Sequence, residues 1–130
     1  MKKILITGGA GYIGSHTAIE MIKGGLAPVI IDDLSNSDIK VLERLKEITG
    51  EDIPFYQGDC GDRNLLDLIA SEHKISGVIH FAAFKAVGES TENPLKYYQN
   101  NVGSLITLLS FMKDQKIKDL VFSSSCTVYG

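Results

Sequence analysis

The sequence predicts a doubly wound α/β domain: a parallel sheet of about five strands with helices on both faces. Three observations predict it. Short β-rich runs alternate with amphipathic stretches of helical period along the whole chain. The first four runs are continuously apolar rather than alternating, as strands covered on both faces require. A cluster of glycines directly follows the first run and opens a helical segment.

The strands are expected at Lys3–Thr7, Pro28–Asp32, Ile53–Gln57, Gly77–Phe81 and Leu120–Ser123. Between the second and third, Val41, Leu42, Leu45 and Ile48 form one apolar stripe, with Gly50 placed to end the helix. Tyr98, Val102, Leu105, Leu109 and Met112 step by four, three, four and three, which predicts a further helix face. Asn93 is its candidate N-cap and Pro94 its first residue. Strand and helix in regular alternation imply right-handed crossovers and one domain over residues 1–130.

Composition excludes several classes of function. The chain has 130 residues, 44% hydrophobic and 22% charged, within ordinary globular usage. A net charge of −3 offers no basic stripe for a phosphate backbone, so nucleic acid is not expected as a partner. The apolar run Ile4-Leu5-Ile6 breaks at Thr7-Gly8-Gly9, too soon for a secretory leader, and no stretch predicts a membrane span. Cys60 and Cys126 lack metal-ligand spacing; they read as two reduced thiols of a cytoplasmic protein, and no metal site is expected.

The strongest chemical signal is "ILITGGAGYIGSH". Gly8, Gly11 and Gly14 fit G-x-x-G-x-x-G, and Gly9, Gly11 and Gly14 fit G-x-G-x-x-G, in the strand–turn–helix context of a Rossmann-type dinucleotide site. The early glycines permit a tight turn, Gly11 admits a pyrophosphate, and Gly14 lets helix and strand pack closely. A helix opening near Tyr12 then aims unsatisfied N–H groups and a positive dipole end at the phosphates. The competing reading is a glycine-rich turn that holds nothing.

The second strand selects the nucleotide. "VIIDD" sets Asp32 at a strand end about twenty residues past the glycines, where a carboxylate accepts from ribose hydroxyls and repels a 2′-phosphate. No arginine or lysine follows immediately, so NAD is expected rather than NADP. Asp33 competes for the same role, although one carboxylate suffices. Asp59, after the third strand, could accept from the adenine amino group. Ala82 and Ala83, after the fourth, are small enough for a flat cofactor to lie close. Lys85 could approach a ribose or phosphate, and Asn100 or Asn101 could face the cofactor from mid-helix. For each of these a plain turn, helix packing or a solvated face is the alternative. His80, inside the fourth run, reads as a hydrogen-bonded core histidine. His16 and His73 fall in helical segments without suggestive partners.

The segments "TGGAGYIGSH", "DDLSNS", "GDCGD", "VIHFAAFKAVGES", "NPLKYYQNNV" and "FSSSCTVYG" together resemble the amino-terminal half of the UDP-glucose 4-epimerases. These belong to the extended short-chain dehydrogenase/reductase family. The resemblance implies a bound NAD that takes hydride from C4 of a UDP-hexose and returns it to the other face of a 4-keto intermediate. It implies that Tyr12 and Ile13 meet the pyrophosphate through their backbone. Asp32, Asp33, Leu34, Ser35, Asn36 and Ser37 would surround the adenosine ribose, and Asp59 with Cys60 would flank the adenine. Phe81, Ala82, Ala83, Phe84 and Lys85 would line the nicotinamide half with Asn100 nearby, and Ser125 would be the catalytic serine that bonds the sugar hydroxyl. A UDP-sugar partner, a role in galactose metabolism and a homodimer of the full-length enzyme are implied as well. Cys126 and Ala83 depart mildly from the family pattern, where alanine and glycine are usual.

One departure is larger. The family's base is a tyrosine with a lysine four residues later, and no Y-x-x-x-K occurs here. His16, Cys60, Asn101 and Val102 stand four residues past Tyr12, Tyr56, Tyr97 and Tyr98, and only Gly130 follows Tyr129. The resemblance therefore implies an amino-terminal part of a longer enzyme, inactive by itself. A nucleotide-sugar dehydratase relative and a non-enzymatic NAD-binding module are the competing readings.

Overall fold

The computed structural model describes residues 2–8, 12–34, 40–81 and 94–122, with only the backbone described at 12, 13, 94–102 and 122. In chain order these form β1 (Lys3–Thr7), α1 (Tyr12–Lys23), β2 (Ala27–Asp32), α2 (Lys40–Thr49), β3 (Phe55–Gln57), α3 (Arg63–Glu72), β4 (Ile75–His80), α4 (Pro94–Asp114) and β5 (Asp119–Phe122). The sheet order is β3-β2-β1-β4-β5, and every pairing is parallel. The α/β reading of the sequence is thus what the chain adopts.

The strands differ from expectation at their ends. β3 starts at Phe55 rather than Ile53, because Pro54 has no N–H to give the ladder and only its carbonyl takes part, accepting from Ile30 N at 2.9 Å. β4 starts two residues early, at Ile75, and ends at His80 rather than Phe81. An irregularity in its pairing with β1 absorbs Ser76: Lys3 pairs with Ile75, then Ile4 with Gly77. β2 and β5 each begin one residue early, at Ala27 and Asp119. Ser123 lies outside the described residues.

Alternate strand residues feed two separate cores. Leu5, Val29, Ile31 and Val78 pack on one face with Leu66 and Ile69 of α3 and Leu108, Phe111 and Met112 of α4. Ile6 and Ile30 pack on the other with Ala18 and Met21 of α1 and Leu45 of α2. Each fully buried Leu, Ile or Phe contributes on the order of 1.5–3 kcal/mol. Exposed ion pairs such as Lys46–Asp52 (2.9 Å) contribute at most about 1 kcal/mol each, so the two cores hold the fold.

Both predicted helix stripes need adjustment. Val41, Leu42 and Leu45 face the core, but Ile48, one turn on, is 65% exposed. Gly50 does follow the last turn of α2, with φ +71° and its N–H on Lys46 O. On α4 the buried positions are Leu108, Phe111 and Met112, whereas Leu109 is 44% exposed. A run of apolar residues on both sides of position 108 let the wrong one be counted into the stripe. Pro94 is the first residue of α4, and Asn93 lies outside the described residues.

Candidate functional site

Because all five strands run parallel, their carboxyl ends share one edge of the sheet. The chain leaves β1 toward β2 and β3 on one side and places β4 on the other. The order reverses between β1 and β4, and ligands of open α/β sheets bind at such a switch point.

The β1–β4 seam carries the most organised chemistry of this edge. Thr7, the last residue of β1, and His80, the last of β4, are register partners and both 0% exposed. Thr7 Oγ1 lies 2.6 Å from His80 Nδ1. The Phe81 N–H donates to both the carbonyl (2.9 Å) and the hydroxyl (3.1 Å) of Thr7. Burial pushes the His80 imidazole down to about 4, so it is neutral. The reading of His80 as a hydrogen-bonded core histidine holds.

Gly8 follows Thr7 in the left-handed region, with φ +75°, and its N–H donates to Ile31 O at 2.8 Å. This bond continues the β1–β2 ladder one residue past the end of β1. Gly11 lies outside the described residues. Tyr12 and Ile13 form the opening of α1, as expected of a helix whose N-terminus faces the turn, and Gly14 is buried in its first turn.

Asp32 ends β2 with only 7% exposure. Its Oδ1 accepts from the Leu34 N–H at 2.8 Å, an Asx-type turn that lets Leu34 adopt φ +62°. Asp33 is exposed and Leu34 half-buried, while Ser35, Asn36 and Ser37 lie outside the described residues. The next strand end is tied on by Gly58, whose N–H donates to Asp32 O at 3.0 Å.

Within "GDCGD" each acidic residue has a local task. Asp59 Oδ1 accepts from Gly61 N at 2.8 Å and meets Ser104 Oγ at 3.5 Å. Asp62 is the N-cap of α3, its side chain accepting from Asn64 N and Leu65 N. Gly61 admits α4 to the turn, since a Cβ there would stand 3.1 Å from Ser104 Cα. The Cys60 thiol is 6% exposed and points into the α3–α4 core; burial, with the Asp59 charge second, pushes it up to about 12. It is an inert thiol, and Cys60 presents only its backbone to this edge.

Phe81 is half-buried against the α1–α2 core. Ala82, Ala83, Phe84, Lys85 and Ser125 lie outside the described residues, and Asn100 falls on the backbone of α4. The structure therefore brings Gly8, Asp32, Asp59 and Phe81 to one edge.

Sequence reasoning missed Thr7, whose signal was a hydroxyl at the end of an apolar run just before the glycines. It also missed Arg63, which pairs with Asp67 one turn on in α3 (2.9 Å), ties α3 to α4 through Asp114 (2.6 Å) and lies over the Phe111 ring. Tyr56 donates to Glu72 at 2.6 Å, and burial, with that carboxylate, pushes its phenol up to about 12, the wrong direction for a base. Among the described residues no group of three or more His, Cys, Asp or Glu could hold a metal, and no helix is long and apolar enough to cross a membrane. An open hollow of about 690 Å³ lies at the opposite edge, lined partly by Lys2, His73, Lys74 and Lys116. Lys74 and Lys116 follow the carboxyl ends of α3 and α4, where cations offset the helix dipoles.

The UDP-glucose 4-epimerase of Neisseria meningitidis serogroup B is 55% identical over 130 residues, covering 100% of this chain and 38% of that protein. The Bacillus subtilis enzyme of the same name is 53% identical over 127 residues, again 38% of its length. The chain thus spans well under half the length of these curated relatives. Among solved structures, the UDP-glucose 4-epimerase of Bifidobacterium longum, in complex with NAD⁺ and UDP, superposes with a TM-score of 0.91 at 45% identity, covering 99% of this chain and 38% of that one. The Stenotrophomonas maltophila UDP-glucose 4-epimerase, with bound NAD and formylated UDP-arabinopyranose, gives 0.90 at 48% identity, covering 100% of this chain and 39% of that one. The family described as GDP-mannose 4,6 dehydratase matches residues 5–130. From the middle of β1 to its last residue, the chain belongs to the GDP-mannose 4,6 dehydratase family.

Proposed function

We propose that residues 1–130 are the NAD-binding domain of a cytoplasmic UDP-glucose 4-epimerase that serves galactose metabolism and acts as a homodimer at full length. The observation that carries the reading is the carboxyl edge itself. Gly8, left-handed after β1, and a nearly buried Asp32 at the end of β2 share the edge where strand order reverses, with α1 opening at Tyr12. Sequence identity above 50% to 4-epimerases along the whole chain supports the same reading over the dehydratase chemistry of the family's description.

These residues fit a dinucleotide. Gly8, Gly11, Gly14 and the backbone of Tyr12 and Ile13 would hold the pyrophosphate. The stretch from Asp32 through Ser37 would hold the adenosine ribose, and Asp59 with the Cys60 backbone the adenine. Phe81, Ala82, Ala83, Phe84 and Lys85, with Asn100, would flank the nicotinamide half. NAD, when bound, supplies the site that accepts a hydride from C4 of the UDP-sugar and gives it back. The contribution of the chain is to orient, and Ser125 would hydrogen-bond the sugar hydroxyl. No residue of the chain is placed as the base: no tyrosine has a lysine four positions on, and Tyr56 is pushed up to about 12. General-base catalysis is worth roughly 10²–10⁴ and substrate orientation up to about 7–11 kcal/mol. The 130-residue chain alone is therefore expected to bind NAD in preference to NADP without turning over UDP-galactose.

Calorimetric titration with both cofactors tests the first half, and equal affinities would overturn the NAD assignment. A coupled assay of UDP-galactose conversion, run on the chain and on a full-length protein carrying it, tests the second. Epimerase turnover is expected only from the full-length protein. A 4-keto-6-deoxy product would establish the dehydratase reading instead.

A further inference from the structure

The β1–β4 seam ends in a backbone bond, Phe81 N–H to Thr7 O, reinforced by a buried side-chain link between Thr7 and His80. Thr7 and His80 are the last residues of their strands, and the next residue on each chain begins a proposed ligand-facing segment: Gly8 on one side, the stretch from Phe81 to Lys85 on the other. Resting on the NAD reading above, we infer that His80 is a positioning residue of the dinucleotide site. By bonding Thr7 it helps to fix the separation of Gly8 from Phe81, the residues that follow β1 and β4.

The hydrogen-bond inventory supports this role. Thr7 Oγ1 accepts the Phe81 N–H at 3.1 Å and shares a hydrogen bond with His80 Nδ1, 2.6 Å away. The His80 ring is neutral. Burial enforces that neutrality, and both residues are 0% exposed, so water cannot substitute for either partner. On the far side of the same turn, Gly8 is held to Ile31 through its N–H. The end of β1 is thus fixed to β2 by backbone, and to β4 by the Phe81 N–H and the Thr7–His80 pair. A cofactor spanning the switch point needs both distances set before it arrives, since freedom left in either must be lost on binding.

The test uses His80→Leu, which removes the hydrogen-bond partner of Thr7, and His80→Asn, whose amide stands close to the Nδ1 position. Thr7→Val and Thr7→Ser form the matching pair at the other end. NAD dissociation constants and ligand-free melting temperatures are measured for each, on a full-length protein carrying the chain and on the 130 residues alone. His80→Leu and Thr7→Val are each expected to weaken NAD by about three- to tenfold, the scale of one buried hydrogen bond. The double variant should be little worse than either alone, and His80→Asn and Thr7→Ser should recover most of the loss. A purely structural pair would shift the melting temperature and leave the dissociation constant alone, which overturns the inference. If His80→Leu does not fold, an unchanged NAD affinity in Thr7→Val overturns it equally. Absence of NAD binding by the unmodified protein overturns the proposed function and this inference with it.

Discussion

Between β1 and β4 the carboxyl edge is closed by neutral groups out of reach of water: a threonine hydroxyl, an imidazole and a doubly shared N–H. Between β2 and β3 it is closed by one backbone bond, Gly58 N–H to Asp32 O, flanked by two carboxyl groups that shape the turns after them. Asp32 is nearly buried and Asp59 exposed. The first seam depends on a ring staying uncharged, and the second on side chains that accept hydrogen bonds locally. The same edge is therefore rigid where strand order reverses and polar toward its side.

The largest test of this contrast is acid. His80 takes its proton at about 4 in the folded chain and near 6.5 when unfolded. Above 6.5 it is neutral in both states and contributes nothing to the pH dependence. Between about 6.5 and 4 the unfolded chain binds a proton that the native chain refuses, so stability falls as pH falls, by on the order of 3 kcal/mol at the bottom of the window. Urea denaturation across this range should show that slope, and His80→Leu should remove it. A slope that survives the substitution would place the titrating group elsewhere and dissolve the distinction between the seams.

Asp32 comes next. Asp32→Ala is expected to narrow the preference for NAD over NADP by on the order of 1–3 kcal/mol, the loss of a charge-assisted hydrogen bond. Asp32→Asn sharpens the comparison, because it keeps an oxygen for the Leu34 N–H while removing the charge. Calorimetry with both cofactors separates the two roles. If Asp32→Asn binds NAD as the parent does, the carboxyl group serves the turn and not the ribose.

The smallest effect belongs to the far side of the second seam. Asp62→Ala should cost about 1 kcal/mol by uncapping α3, read as a lower urea midpoint with unchanged cofactor affinity. A change in affinity of similar size would mean that the cap of α3 also shapes the ligand edge.

Much of this was legible in the sequence for identifiable reasons. Continuously apolar runs gave the strands, and Gly8 and Asp32 stand at their strand ends as read, because backbone freedom and a strand-end carboxylate are local properties. What was not legible depends on contacts distant in sequence. The Thr7–His80 pair spans 73 positions, and Arg63 reaches Asp114 across 51. Neither can be read from spacing within a single element. The misassigned stripe on α4 has a different origin: Leu105, Ile106, Leu108, Leu109, Phe111 and Met112 offer more apolar residues than one face can bury, so periodicity alone does not say which way the helix is turned.

α4 is also out of proportion to the sheet. Its 21 residues extend about 31 Å, whereas the six of β4 and the four of β5 reach roughly 20 and 13 Å. The excess cannot lie at its far end, because only Gln115 to Lys118 separate it from β5, so that end must stand level with the amino edge. A helix of that length laid along β4 would outreach the strand by roughly 10 Å, so its first turns belong to the carboxyl side of the sheet. Asn100, its seventh residue and twenty positions past the end of β4, is carried back toward that side by helix length alone.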